Sequence, residues 1–162
     1  MSVTFKTHLT TRAAIVVATL ALAGAAQAAG SVQVSWTDSD SYADIGRNVV
    51  DRERTMEILG AHLKSLGRRL PDGQTLQLDV LDVDLAGALE WAAGRDLRVV
   101  RGFVDWPRMS LRYTLLADGR TLASGTAQLD DMAYLSRQRS SELGYEKRML
   151  DDWFRATFPA PH

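Results

Sequence analysis

The chain has 162 residues, 46% of them hydrophobic, with a formal net charge of −1. A chain of this size buries a core without staples, and having no cysteine it must do so without disulfides, thiol nucleophiles or cysteine-built zinc sites. The near-neutral, slightly acidic balance offers neither the basic face that nucleic acid demands nor the polybasic cluster that anionic lipid attracts.

Residues 1–28 read as an export signal. Lys6 and Arg12 precede an apolar run over residues 13–26, which closes on the small-x-small sequence Ala26-Gln27-Ala28. The run falls short of the about 20 apolar residues that a membrane span needs. No cysteine follows it to take a lipid. The expectation is a signal peptide cleaved after Ala28. Residues 29–162 then form a single α+β domain in a bacterial periplasm or the medium, with no stable membrane insertion. Removal of Lys6 and Arg12 makes that domain more acidic.

The predicted elements follow in chain order. Val32-Gln33-Val34-Ser35-Trp36 alternates apolar and polar residues and predicts a strand. Ile45, Val49, Arg52, Met56, Leu59, Leu63, Leu66 and Leu70 recur at helical spacing and predict a long helix of about seven turns. Pro71-Asp72-Gly73 stops it. Arg52 interrupts the stripe and is expected to pair with a buried acid or to reach solvent at its edge, the other reading being a ligand-binding cation between helix and sheet. Residues 75–84 predict a strand whose phase slips near Val80-Leu81. A bulge there would return Leu76, Leu78, Val80, Leu81 and Val83 to one face, and burial on both faces is the other option.

Residues 97–104 predict a further strand. Met109, Leu111, Tyr113 and Leu115 alternate with polar residues, and Asp118-Gly119 then marks a hairpin turn into a return strand over residues 121–129. That strand carries Ala123, Gly125 and Ala127 on one face, small enough to lie close beneath a helix. Asp130 is placed to cap a short helix over residues 131–138. Ser140-Ser141-Glu142 opens a C-terminal helix with Met149, Leu150, Trp153, Phe154 and Phe158 on its apolar face. The order predicts an α+β two-layer sandwich: a mostly antiparallel sheet of about four or five strands, with the long N-terminal helix and the C-terminal helix on one face.

Candidate chemistry is sparse. Once the signal is removed, His62 and His162 are the histidines left. No nucleophile elbow, phosphate loop or dinucleotide fingerprint accompanies them, so no cofactor is expected. Asp82 and Asp84 share one side of a strand about 7 Å apart. With Asp79, or with Asp38 and Asp40, they would suit a hard cation, or else they pair across strands with Arg98, Arg101 or Arg112. Trp106, held extended by Pro107, would stack on a sugar or peptide if exposed and would plug the sheet edge if buried. Asp82, Asp84, Arg98, Arg101 and Trp106 are therefore the candidate binding residues.

Five segments taken together resemble one family. They are Asp44-Ile45-Gly46-Arg47; Leu81-Asp82-Val83-Asp84-Leu85-Ala86-Gly87; Arg95-Asp96; Asp105-Trp106-Pro107; and Tyr145-Glu146-Lys147-Arg148-Met149-Leu150-Asp151-Asp152-Trp153-Phe154. They are similar to the Domain of Unknown Function 3016 family of small exported Gram-negative proteins. The resemblance implies export and a single domain, and brings no activity, cofactor or catalytic residue.

With no catalytic set, the expected function is a non-catalytic binding or envelope-assembly module for an envelope protein, peptide or glycan. The alternative is a metal-dependent hydrolase of the cell envelope built on Asp82 and Asp84 with Arg98 or Arg101. A periplasmic chaperone is a third reading and would expose a contiguous apolar patch.

Overall fold

The computed structural model describes residues 29–159 except residue 93 and residues 137–140. The expected export signal and His162 lie outside the described residues.

The protein is α+β. Its elements run β1 (Ser31–Trp36), α1 (Val49–Leu66), β2 (Gln74–Asp84), β3 (Ala88–Ala92), β4 (Arg95–Val99), β5 (Arg108–Ala117), β6 (Arg120–Asp130) and α2 (Gly144–Thr157). The main sheet has four strands in the order β1-β2-β5-β6, while β3 and β4 form a separate two-stranded ribbon. The sheet is mixed: β1 runs parallel to β2, and β2-β5 and β5-β6 are antiparallel. The parallel pair arises because α1 lies between β1 and β2 and carries the chain back to its starting side.

The core lies between one face of the sheet and the two helices. Leu76, Leu78, Val80 and Val83 of β2 and Met109, Leu111 and Leu115 of β5 meet Leu59, Leu63 and Leu66 of α1 and Met149, Leu150 and Phe154 of α2. Phe154 is 1% exposed, and truncating a core aromatic of this kind costs about 3–5 kcal/mol. The opposite face, with Gln33, Gln77, Arg112 and Thr126, is open to solvent.

Several sequence expectations are corrected. The helix predicted over residues 45–70 covers Val49–Leu66 alone, and a 3-10 turn over Gly67–Arg69 follows it. Asn48 sets its start, its side chain accepting from the Asp51 N–H at 3.0 Å. Val49 is 56% exposed, so the buried stripe begins a turn or two later than the spacing suggested. Arg52 pairs with the exposed Asp40 at 2.8 Å.

The bulge in β2 is present, shifting register between Val80 and Asp82. It leaves Leu81 half-buried as the extra residue, while Val83 rejoins the core face. The strand predicted over residues 97–104 is β4 and ends at Val99, because Gly102 and Phe103 adopt left-handed backbone at φ 72° and 42°. The helix predicted over residues 131–138 is a 3-10 turn at Tyr134–Ser136, with the end of that prediction outside the described residues.

The Asp118-Gly119 turn has positive φ at both residues, 50° and 72°, as a two-residue hairpin loop requires. On β6, a Cβ at Gly125 would sit 3.0 Å from the Tyr113 hydroxyl. A neighbouring aromatic ring thus covers the small-residue face. Tyr113 in turn meets Trp153 and Phe158 edge-on, with centroids 6.0 and 5.6 Å apart.

Candidate functional site

The candidate residues gather around the segment between β1 and α1. Asp44 forms a parallel bridge to Asp84, its N–H donating to the Val83 carbonyl at 2.9 Å and its carbonyl accepting from Leu85 N–H at 3.0 Å. Tyr42 anchors the same segment by donating its hydroxyl to the Val80 carbonyl at 2.6 Å. Burial pushes the Tyr42 phenol up to about 12.

Asp82 accepts from the Ala43 N–H at 2.9 Å. Arg98 grips Asp44 with both terminal nitrogens, at 2.8 and 3.1 Å, and donates to the Gly87 carbonyl at 2.8 Å. The guanidinium therefore ties the β3-β4 ribbon to the sheet's end. Asp84 lies 3.5 Å from Arg108. Burial raises the Asp84 carboxyl, Arg108 opposes that, and Asp44 and Asp82 add to it. Arg108 also stacks over the Trp106 ring at 4.5 Å.

The structure thus brings Asp82, Asp84 and Arg98 around Asp44, and links Trp106 to Asp84 through Arg108. Arg101 is elsewhere: its side chain pairs with Glu90 of the ribbon. Its backbone N–H donates to Asp105 at 2.6 Å. Asp105 organises that loop by accepting the Tyr134 hydroxyl at 2.6 Å, while the same hydroxyl accepts from Gly102 N–H at 3.0 Å.

Of the five candidates, Arg98 also lines a cleft. This cleft, about 500 Å³, lies between the first turns of α1, the ribbon and the approach to α2. Leu85, Leu89 and Leu143 give it an apolar floor; Asp51, Arg54, Asp96 and Glu142 give it a charged rim. Three of the rim charges are paired across elements, while Asp51 accepts from the neighbouring Asn48 side chain at 2.8 Å. Arg54 holds Glu142 through two bonds at 3.1 and 3.0 Å, and Arg47 pairs with Asp96. The Arg54 bonds hold the Glu142 carboxyl below its ordinary range. A cleft of this kind has no single-signed field to concentrate an anion or a cation. It can take an apolar group flanked by charges of both signs.

Sequence reasoning missed Arg54, Asp96, Glu142 and the three leucines as one site. Leu85 and Asp96 stood out in the sequence as parts of the family pattern alone; partners separated by tens of residues leave no local spacing.

A second groove, of about 520 Å³, has His62, Ser141 and Asp151 among its lining. Their composition is that of a hydrolytic triad, but their geometry is not. A triad needs the acid on one imidazole nitrogen and the nucleophile on the other. Here a single nitrogen, His62 Nε2, meets the Lys147 carbonyl at 3.1 Å and lies 3.4 Å from Asp151 Oδ1. That oxygen is also 3.2 Å from Arg69 and has no aligned hydrogen bond. Among the described residues no group of three or more histidines and carboxylates is placed to hold a metal ion. No described helix is long and apolar enough to cross a membrane.

A family model described as Protein of unknown function (DUF3016) matches residues 30–156. The chain belongs to that family. The match takes in every strand and both helices of this DUF3016 protein except the last residue of α2, so the cleft lies wholly within the shared region. Comparison with curated proteins finds no match, and comparison with solved structures finds none.

Proposed function

We propose that this DUF3016 protein is an exported periplasmic module that binds rather than catalyses, and that its cleft receives a segment of an envelope polypeptide. We read the architecture as a two-layer sandwich that leaves the ribbon free to shape the cleft. One observation carries the reading: an apolar floor of three leucines is ringed by ion pairs between separate elements. Each rim pair can exchange its partner for a charge or peptide group of a bound chain at small net cost, since exposed ion pairs are worth about 0–1 kcal/mol. The Asp82 and Arg98 side chains, by contrast, are engaged in holding loops and carbonyls in place.

Photo-crosslinking in intact cells tests this. A crosslinker at Glu142 is expected to yield discrete adducts with envelope proteins that one at Gln77, on the open sheet face, does not. Equal labelling at both positions sinks the reading. Protein recovered from the periplasm is expected to begin at Ala29; recovery with residues 1–28 attached, or from the cytoplasm alone, defeats the export claim. Binding of Ca²⁺ or Mg²⁺ in calorimetry, abolished by Asp82→Asn, would instead favour the metal-dependent hydrolase.

A further inference from the structure

We propose that β6 is a self-association edge: two copies of the chain pair antiparallel through it, joining their sheets into one. β6 is the last strand in the sheet order, and among the described residues no strand pairs with its outer side. Exposed edges of this length are normally blunted by charge, proline or bulges. Here the run from Thr121 to Leu129 contains no charged residue and no proline. Its one irregularity is the register shift opposite Leu115 and Leu116, which sets Leu122 out of the ladder and leaves the run from Ala123 onward regular.

The strand's chemistry selects a second copy as the occupant. Arg120 stands at one end and Asp130 at the other. An antiparallel partner of identical sequence lays each basic end against the other's acidic end, whereas a parallel one stacks like charges. Centring the two-fold axis on Gly125 sets Ala123 against Ala127 and Ser124 against Thr126. Residues opposite each other in an antiparallel pair share a face, so small apolar residues meet on the helix side and hydroxyls meet on the open side. The match is self-complementary, as a two-fold interface must be. A groove of about 350 Å³, bordered by Leu129, Trp153 and Ala156, lies beside the C-terminal end of β6.

Analytical ultracentrifugation of residues 29–162 over a concentration series tests the proposal. A reversible monomer–dimer equilibrium is expected. Thr126→Lys, which places a charge on the exposed strand, should shift it at least tenfold towards monomer. Arg120→Glu and Asp130→Arg should each weaken the dimer, and the double substitution should restore it; circular dichroism checks that every variant is folded. Three results overturn the proposal. One is monomer at every concentration. Another is a dimer indifferent to Thr126→Lys and to the charge swaps. The third is a monomer whose β6 amides shift in NMR on adding an unrelated extended peptide, which would make the edge a peptide-docking site instead.

Discussion

At the scale of single residues, most polar side chains near the sheet's end hold backbone in place. Tyr134 is fully buried, and its hydroxyl bridges the Asp105 carboxylate and the Gly102 amide. Burial and the Asp105 bond push the phenol up to about 12. Burial alone would raise the Asp105 carboxyl, but the bonds from Tyr134 and from the Arg101 and Gly102 amides outweigh it and hold the carboxyl low. A carboxyl lowered by folding adds stability above its unfolded value, near 3.9, and loses that contribution as pH falls through the folded value. Tyr134→Phe is expected to cost about 1–3 kcal/mol in urea unfolding at neutral pH, the penalty of stranding buried partners. It should also flatten the acid-induced loss below about pH 4. An unchanged acid limb would show that Asp105 is not the group responsible.

At the scale of elements, the β3-β4 ribbon shapes one wall of the cleft and depends on a close approach. Gly87, between β2 and β3, has φ 81°, and a Cβ there would lie 2.6 Å from the Val99 carbonyl oxygen. Gly87→Ala meets both left-handed strain and a backbone clash, and is expected to destabilise by about 1–3 kcal/mol. Hydrogen exchange should quicken first in β3 and β4, because the main sheet keeps its own ladder. Uniform acceleration across β2 and β5 would contradict that division.

This ribbon was also the least legible element. Residues 88–92, Ala-Leu-Glu-Trp-Ala, carry no two-residue alternation, and alanine, leucine and glutamate favour helix. The ribbon's hold on the body comes from Arg98 reaching Asp44 across 54 positions, which no window of sequence registers. The β5-β6 hairpin was legible for the opposite reason. Its alternation and its Asp118-Gly119 turn are local, and the structure keeps both.

At the scale of the molecule, α1 and α2 meet where His62 lies, its Nε2 facing the Lys147 carbonyl and Asp151. Burial lowers the His62 pKa; Asp151 and the Lys147 carbonyl oppose this, while the Lys147 and Arg69 charges reinforce it. A histidine lowered by folding contributes fully above its unfolded value, near 6.5, and loses that contribution as pH falls through the folded value. Thermal melts are expected to show wild type losing more stability between pH 7 and pH 5 than His62→Gln does. A larger loss in the variant would reverse the sign and imply that the ring is charged in the folded protein. This window lies above the one assigned to Asp105, so the two groups separate by pH alone.

By itself the sequence determined what local periodicity and residue chemistry can encode. That covers the α+β class, the β5-β6 hairpin, the phase slip near Val80-Leu81 in β2, and membership of the DUF3016 family. For Asp82, Asp84 and Arg98 the sequence left pairing within the chain open beside ligand binding, but it did not name their partners, Ala43, Arg108 and Asp44. Only the tertiary structure decided that β1 runs parallel to β2, that Arg98 closes on Asp44, and that Arg54, Asp96 and Glu142 rim one cleft. Those facts depend on which distant segments share a face after the core has formed. Core burial is non-directional, so a local pattern reports that a side chain is buried or charged without naming its partner.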